Sequence, residues 1–132
     1  MPQKWTHPQV MHIGRPALVY LPIPKVKNPL FGNGQHTPDE MFRQFCLATF
    51  NAVSINTATV EGYWRQADGL IVPDFHCQYR VSFRHAEPET GEAPFARLNQ
   101  LVTFLSELCK TMQEDCIYAE FGEDAVLITP CA

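Results

Sequence analysis

Residues 75–84 alternate between apolar and polar side chains along the whole segment. Phe75, Tyr79 and Phe83 belong to the apolar set, whereas His76 and Arg80 belong to the polar set. Because successive side chains of a β-strand point to opposite faces, this alternation predicts a strand in a sheet with two different faces. One face is apolar and packs against helices, and the other is polar and basic.

Two segments have the residue spacing of amphipathic helices. Thr37, followed by Pro38 and then by Glu40, forms a capping box that starts a first helix, which we expect to end near Asn51. A second helix begins near Pro94, and its apolar stripe continues over several turns to Met112.

Strands are also predicted at residues 17–23, within 53–64, and at 117–121 and 125–129, which form a hairpin. In the strand at residues 17–23, Pro22 indicates either that the strand ends there or that it lies at a sheet edge. Residues 24–36 are predicted to form a loop. The order strand, helix, strand, strand, helix, strand, with an added C-terminal hairpin strand, predicts an α+β fold. We expect a two-layer ferredoxin-like sandwich on a mainly antiparallel sheet.

The length of 132 residues fits one domain, which we assign to residues 17–132, with residues 1–16 as an extended, proline-containing N-terminal arm. The formal net charge of −4 disfavours nucleic acid as a partner. The sequence has neither a signal peptide nor an apolar run of membrane-spanning length, which predicts a cytoplasmic protein. The five cysteines lack paired spacing and predict reduced thiols without disulfides; no metal or cofactor motif is present.

The ordering of elements resembles the oligomeric ferredoxin-like families, including the PII and divalent-cation-tolerance proteins. Gly62, Tyr63 and Trp64, the hairpin into the basic strand, the long second helix and the closing strand carry this resemblance, over about residues 17–129. Members of these families pair their sheets or edges into dimers or trimers and bind small ligands in clefts between subunits. The resemblance therefore implies self-association as a dimer or trimer.

The polar face of the basic strand is the predicted site for a ligand or a partner. Arginine side chains bind carboxylates and phosphates, and histidine carries protons near neutral pH. The candidate residues are His76, Gln78, Arg80 and Arg84 on this strand, and Tyr118 and Glu120 on the C-terminal hairpin. The competing interpretation is a solvated sheet face or a polar interface between subunits.

Three functions remain open from the sequence. The first is a homo-oligomeric binding or regulatory module that holds a small anionic ligand or a protein partner on its polar sheet face. The second is a cofactor-free enzyme acting on small carbonyl or aromatic substrates, with His76, Tyr79 and Arg80 as the first residues to test. The third is a microbial or phage inhibitor that binds another macromolecule. The lack of a catalytic motif favours a non-enzymatic role.

Overall fold

The computed structural model describes residues 5–83 and 95–132. The chain forms β1 (Arg15–Pro22), α1 (Ile23–Val26), α2 (Pro38–Phe50), β2 (Ser54–Arg65), β3 (Ile71–Phe83), α3 (Ala96–Thr111), β4 (Ile117–Phe121) and β5 (Asp124–Ile128). The five strands form one sheet in the order β2-β3-β1-β4-β5, and every neighbouring pair is antiparallel. These elements confirm the predicted α+β sandwich and its antiparallel sheet; the ferredoxin-like assignment stays a prediction.

The first helix starts as the sequence predicted. The Thr37 hydroxyl accepts a hydrogen bond from the Glu40 amide, and the Glu40 carboxylate accepts one from the Thr37 amide. These bonds satisfy two amide groups that a helix start otherwise leaves without partners. The helix ends at Asn51, which adopts a left-handed conformation with φ of 64°.

The predicted loop of residues 24–36 contains more helical structure than expected. It includes the single turn α1 and a short 3₁₀ helix, Pro29–Phe31. Pro24 and Pro29 stand in the first turn of these two helices, where a missing amide hydrogen costs nothing, and the Asn28 side chain accepts from the Leu30 amide. Proline and asparagine therefore start short helices here and do not only interrupt structure.

The core lies between the sheet and α2 and α3. One face of β1 contributes Ala17, Val19 and Leu21, which are buried. Across the helix layer, Phe45 on α2 and Phe104 on α3 stack with ring centroids 4.3 Å apart. Further buried side chains on this side are Phe42, Tyr79, Val81, Phe83, Leu101, Leu105, Leu108, Ile117, Ala119 and Phe121. Both helices thus cover the same sheet face, and the opposite face is left open.

Strand β1 is central in the sheet, so Pro22 marks a strand end and not a sheet edge. The strand begins at Arg15, which pairs with Phe83, and thus includes two residues that we had assigned to the N-terminal arm. Among the described helices, none is long and apolar enough to cross a bilayer.

Candidate ligand-binding site on the open sheet face

The open face of the sheet has a grid of side chains centred on β1. Tyr20 pairs across the strands with Gln78 on β3 and with Tyr118 on β4. Leu18 pairs in the same way with Arg80 and Glu120. These residues share one face because they are related by two-residue steps and direct cross-strand pairing, and that face is opposite to Ala17 and Val19.

Hydrogen bonds connect four of these side chains. The Gln78 amide nitrogen donates to the Tyr20 hydroxyl oxygen at 2.9 Å, and the Tyr20 hydroxyl donates to Glu120 Oε2 at 3.1 Å. The Tyr118 hydroxyl donates to Glu120 Oε1 at 3.2 Å. The rings of Tyr20 and Tyr118 are tilted by 52°, with centroids 5.2 Å apart. Both oxygens of the carboxylate are therefore held in place by the hydroxyl groups at the ends of two aromatic rings.

Both tyrosines keep their protons at neutral pH. Burial raises the pKa of Tyr20 and the Glu120 carboxylate raises it further, although the hydrogen bond from Gln78 acts in the opposite direction. Partial loss of hydration and the neighbouring Glu120 likewise raise the pKa of Tyr118. The two phenols therefore act as donors, and Glu120 accepts from both.

Among the residues that the structure describes, no cationic side chain forms an ion pair with Glu120. In residues 5–83 and 95–132, the ion pairs involve other carboxylates, and Glu120 bonds only to neutral hydroxyl groups. Hydrogen bonding fixes its position without compensating its charge. A carboxylate beside two aromatic rings is suited to bind an organic cation, which is attracted by the charge and by the ring faces.

Five of the six candidate residues lie on this open face. His76 is half-buried, 3.6 Å from Asp74, and its ring packs edge-on against Tyr20 at a centroid distance of 6.4 Å. Arg80 is exposed and lies across Leu18 from Glu120. Arg84 lies outside the described residues. The binding roles of all six residues stay predictions.

Tyr20 was not among the candidate residues predicted from the sequence, because it lies in the apolar run of residues 17–23. Its position relative to Val19 contained the necessary signal. Val19 faces the helices, so the next residue faces away from them. A central strand can be apolar on both faces, and composition alone did not reveal the second face.

A second carboxylate–tyrosine pair lies on the covered face. Asp39 is buried, and its Oδ1 accepts a hydrogen bond of 2.5 Å from the Tyr79 hydroxyl. Its Oδ2 contacts Lys27 Nζ and Arg43 Nε, each at 2.8 Å. Burial alone raises the pKa of Asp39, but the bonds from Lys27 and Tyr79 and the Arg43 charge outweigh burial and lower it. Tyr79 therefore belongs to the core and not to the face of His76 and Arg80.

The hairpin of β2 and β3 projects beyond the rest of the sheet. Strand β1 pairs with β3 only from His76 to Phe83, so the part of β3 before His76 pairs with β2 alone. This two-stranded ribbon exposes large apolar side chains: Tyr63, Trp64, Leu70, Ile71 and Phe75. An isolated ribbon of two strands is only marginally stable in water, and its exposed apolar residues suit a contact with another chain.

No cluster of three or more His, Cys, Asp or Glu side chains suited to a metal ion occurs in the part of the chain that the structure describes. Cys46 and Cys109 are free thiols in the core, and burial raises the pKa of Cys46 to about 12. Such a thiol behaves as a small apolar side chain and not as a nucleophile.

The similarity to known proteins lies in the fold. No protein-family model matches the sequence, and no curated protein does. A solved structure of a phage SAM lyase in complex with S-methyl-5'-thioadenosine is similar, with a TM-score of 0.51 and 16% sequence identity over 95% of this chain and 96% of that chain. A phage SAM lyase in the apo state matches with a TM-score of 0.51 and 14% identity over 94% and 96% of the two chains. At these sequence identities, the similarity shows a shared fold.

Proposed function

We propose that the open sheet face binds S-adenosylmethionine and that the protein cleaves it, releasing S-methyl-5'-thioadenosine. The observation that supports this proposal most directly is the Glu120 carboxylate, which is held by the hydroxyl groups of Tyr20 and Tyr118 without a cationic partner among the described residues. S-adenosylmethionine carries a permanent positive charge on sulfur. A sulfonium group beside this carboxylate gains charge attraction and contact with two ring faces.

Arg80 supports binding of the amino-acid part of the same substrate. Leu18 separates Arg80 from Glu120 in the cross-strand register, so the two residues are two strand spacings apart, about 10 Å between their backbones. A guanidinium group is suited to a carboxylate. The anionic ligand predicted from the sequence is thus replaced by a zwitterionic one, with its carboxylate toward Arg80 and its sulfonium toward Glu120.

The reaction that the site favours is an intramolecular displacement. The substrate carboxylate oxygen attacks the γ-carbon of the methionine part and forms a C–O bond, while the bond from that carbon to sulfur breaks. The electron pair of the broken bond stays on sulfur, which gives a neutral thioether and a lactone, with no water consumed. An elimination instead needs a protein base to remove a proton from the β-carbon of the methionine part, whereas ring closure needs none. Ring closure needs only correct orientation of the substrate.

This reaction assigns Glu120 to substrate binding and not to stabilisation of the transition state. Opposite charges on carboxylate and sulfonium disappear as the ring closes, so the sulfonium attracts Glu120 more strongly in the substrate than in the transition state. Removing the Glu120 charge should therefore raise KM and leave kcat unchanged or slightly higher.

A second copy of the chain would complete the site in this proposal. The ribbon residues Tyr63 and Trp64 are exposed, and the open sheet face beside Tyr118 is also uncovered in one chain. Packing of the ribbon of one copy at the edge of this face in another would bury the exposed apolar side chains of the ribbon and exclude water from the ligand. Sedimentation analysis of the wild type and Trp64→Ser tests this part; a dimer or trimer that dissociates in the variant is the expected result.

The function is tested by incubating the protein with S-adenosylmethionine and measuring S-methyl-5'-thioadenosine by liquid chromatography, against a blank without protein because the substrate also decomposes slowly in water. The informative variant is Glu120→Gln, which keeps the size of the side chain and removes its charge. Glu123→Gln is the matched control, because Glu123 is exposed in the turn after β4 and outside the site.

We expect product formation above the blank for the wild type and for Glu123→Gln, and a KM about tenfold higher for Glu120→Gln, which corresponds to about 1.4 kcal/mol of binding energy. Product formation no faster than the blank would reject the lyase proposal. The inhibitor alternative would then be the next to test, by purifying the protein together with its partners.

A further inference from the structure

We infer that the protein also cleaves sulfonium amino acids that have no nucleoside. This inference rests on the proposed function and extends it to a second class of substrate. The charged groups that flank Leu18 and Tyr20 on the open face are Arg80 and Glu120, whereas Asp74 lies farther along β3 beside His76. In the proposed binding mode, Arg80 and Glu120 both face the amino-acid part of the substrate. The rings of Tyr20 and Tyr118, whose centroids are 5.2 Å apart, would contact the alkyl groups on the charged sulfur whatever those groups are.

The bonds that change in the reaction also lie outside the nucleoside. The carboxylate oxygen bonds to the γ-carbon, the bond from this carbon to sulfur breaks, and its electron pair leaves with sulfur. If the third substituent on sulfur is methyl and not adenosyl, the leaving group is dimethyl sulfide, which is again a neutral dialkyl thioether. The other product is the same lactone as from S-adenosylmethionine, with its amino group still protonated. The reaction consumes neither water nor an oxidant.

The nucleoside contributes binding energy that the smaller substrate lacks. Contacts with a part of the substrate far from the reacting atoms help to orient those atoms, so their loss lowers kcat as well as affinity. We therefore expect a lower kcat/KM for the smaller substrate by about 10²- to 10⁴-fold, with cleavage still above the uncatalysed rate.

The probe is S-methyl-L-methionine, and the product is dimethyl sulfide, measured in the headspace by gas chromatography. The wild type, Glu120→Gln and Glu123→Gln are compared with a blank, and cleavage of S-adenosylmethionine is measured on the same preparations. The expected result is dimethyl sulfide from the wild type and from Glu123→Gln. For Glu120→Gln, kcat/KM should decrease by the same factor with both substrates, since the interaction that it removes is with sulfur.

Each contrary result has a distinct meaning. Cleavage of S-adenosylmethionine without dimethyl sulfide would overturn the inference and leave the proposed function intact, because recognition would then depend on the nucleoside. Dimethyl sulfide formation that Glu120→Gln does not alter would overturn the role of this face in recognising sulfur. Absence of cleavage with both substrates would reject the proposed function itself.

Discussion

Each of the two faces of the sheet has a carboxylate that accepts hydrogen bonds from tyrosine, but the two carboxylates differ in whether cationic side chains pair with them. On the covered face, Asp39 is bonded to Tyr79 and paired with Lys27 and Arg43. On the open face, Glu120 bonds to two tyrosine hydroxyls and, within the described residues, to no cation. The covered cluster is electrostatically complete, whereas the open cluster retains a negative charge that an external cation can neutralise.

In the proposed function, this difference separates a structural carboxylate, Asp39, from a ligand-binding one, Glu120. Burying an uncompensated charge is costly, so a carboxylate between helix and sheet requires its own cations. A carboxylate at the surface is stabilised by water, so its charge stays available to a ligand. The number of hydrogen bonds is therefore a poor guide to function here, and the presence or absence of a cationic partner is a better one.

The largest expected effect is on stability. Asp39→Ala should lower the free energy of unfolding by about 3 kcal/mol, because it removes the shared partner of Tyr79, Lys27 and Arg43. This value is at the low end for a buried ion pair, since Lys27 and Arg43 keep 66% and 45% of their side-chain exposure and can be rehydrated. Urea unfolding followed by circular dichroism measures the change, and Glu120→Ala is the comparison. Equal losses in the two variants would contradict the distinction between the clusters.

Acid should weaken the covered cluster in the wild type. The pKa of Asp39 is lower in the folded protein than in the unfolded chain, so the folded state binds this proton more weakly. Its stabilising contribution is complete above the unfolded pKa, near 4, and is lost as the pH falls through the lower folded-state pKa. As the pH falls, the free energy of unfolding should therefore decrease less steeply in Asp39→Asn than in the wild type. Parallel curves for the variant and the wild type would show that Asp39 does not contribute.

Removing one hydroxyl from each cluster gives a smaller effect. Tyr79→Phe should cost about 1–2 kcal/mol of stability, because a buried oxygen of Asp39 loses its donor. Tyr20→Phe should cost less than about 0.5 kcal/mol, because water replaces the hydroxyl at Glu120. Tyr20→Phe should instead raise KM for S-adenosylmethionine a few-fold, since the carboxylate is less well fixed. Unfolding curves and initial rates on both variants test whether Tyr79→Phe mainly lowers stability and Tyr20→Phe mainly raises KM.

The smallest effect is expected from Gln78→Leu. Gln78 touches Glu120 only through Tyr20, and the Tyr20 hydroxyl can still donate to the carboxylate without it. We expect a change in KM of about twofold or less. A larger effect, rescued by Gln78→Asn or Gln78→His, would mean that Gln78 contacts the substrate directly.

The sequence predicted those elements whose signals are local. The alternation around Tyr79 and the capping box at Thr37 depend on short-range geometry, and both are present in the structure. The step from Val19 to Tyr20 indicates that Tyr20 faces away from the helices, but its neighbours Gln78 and Tyr118 depend on which strands flank β1 and could not be predicted from its own segment. The role of Asp39 was not predictable either, because it depends on tertiary contacts with Tyr79, Lys27 and Arg43 that make Asp39 the centre of a buried ion cluster.

The sheet order makes the open site a late product of chain synthesis. Tyr20 and Glu120, which share a hydrogen bond, are 100 residues apart, and Tyr20 is 58 residues from Gln78. At a synthesis rate of about 5–20 residues per second, β1 leaves the ribosome about 5–20 s before its partner on β4. Because the site then exists only when β1, β3 and β4 are joined, a ligand bound there stabilises the completed sheet and not its earlier fragments.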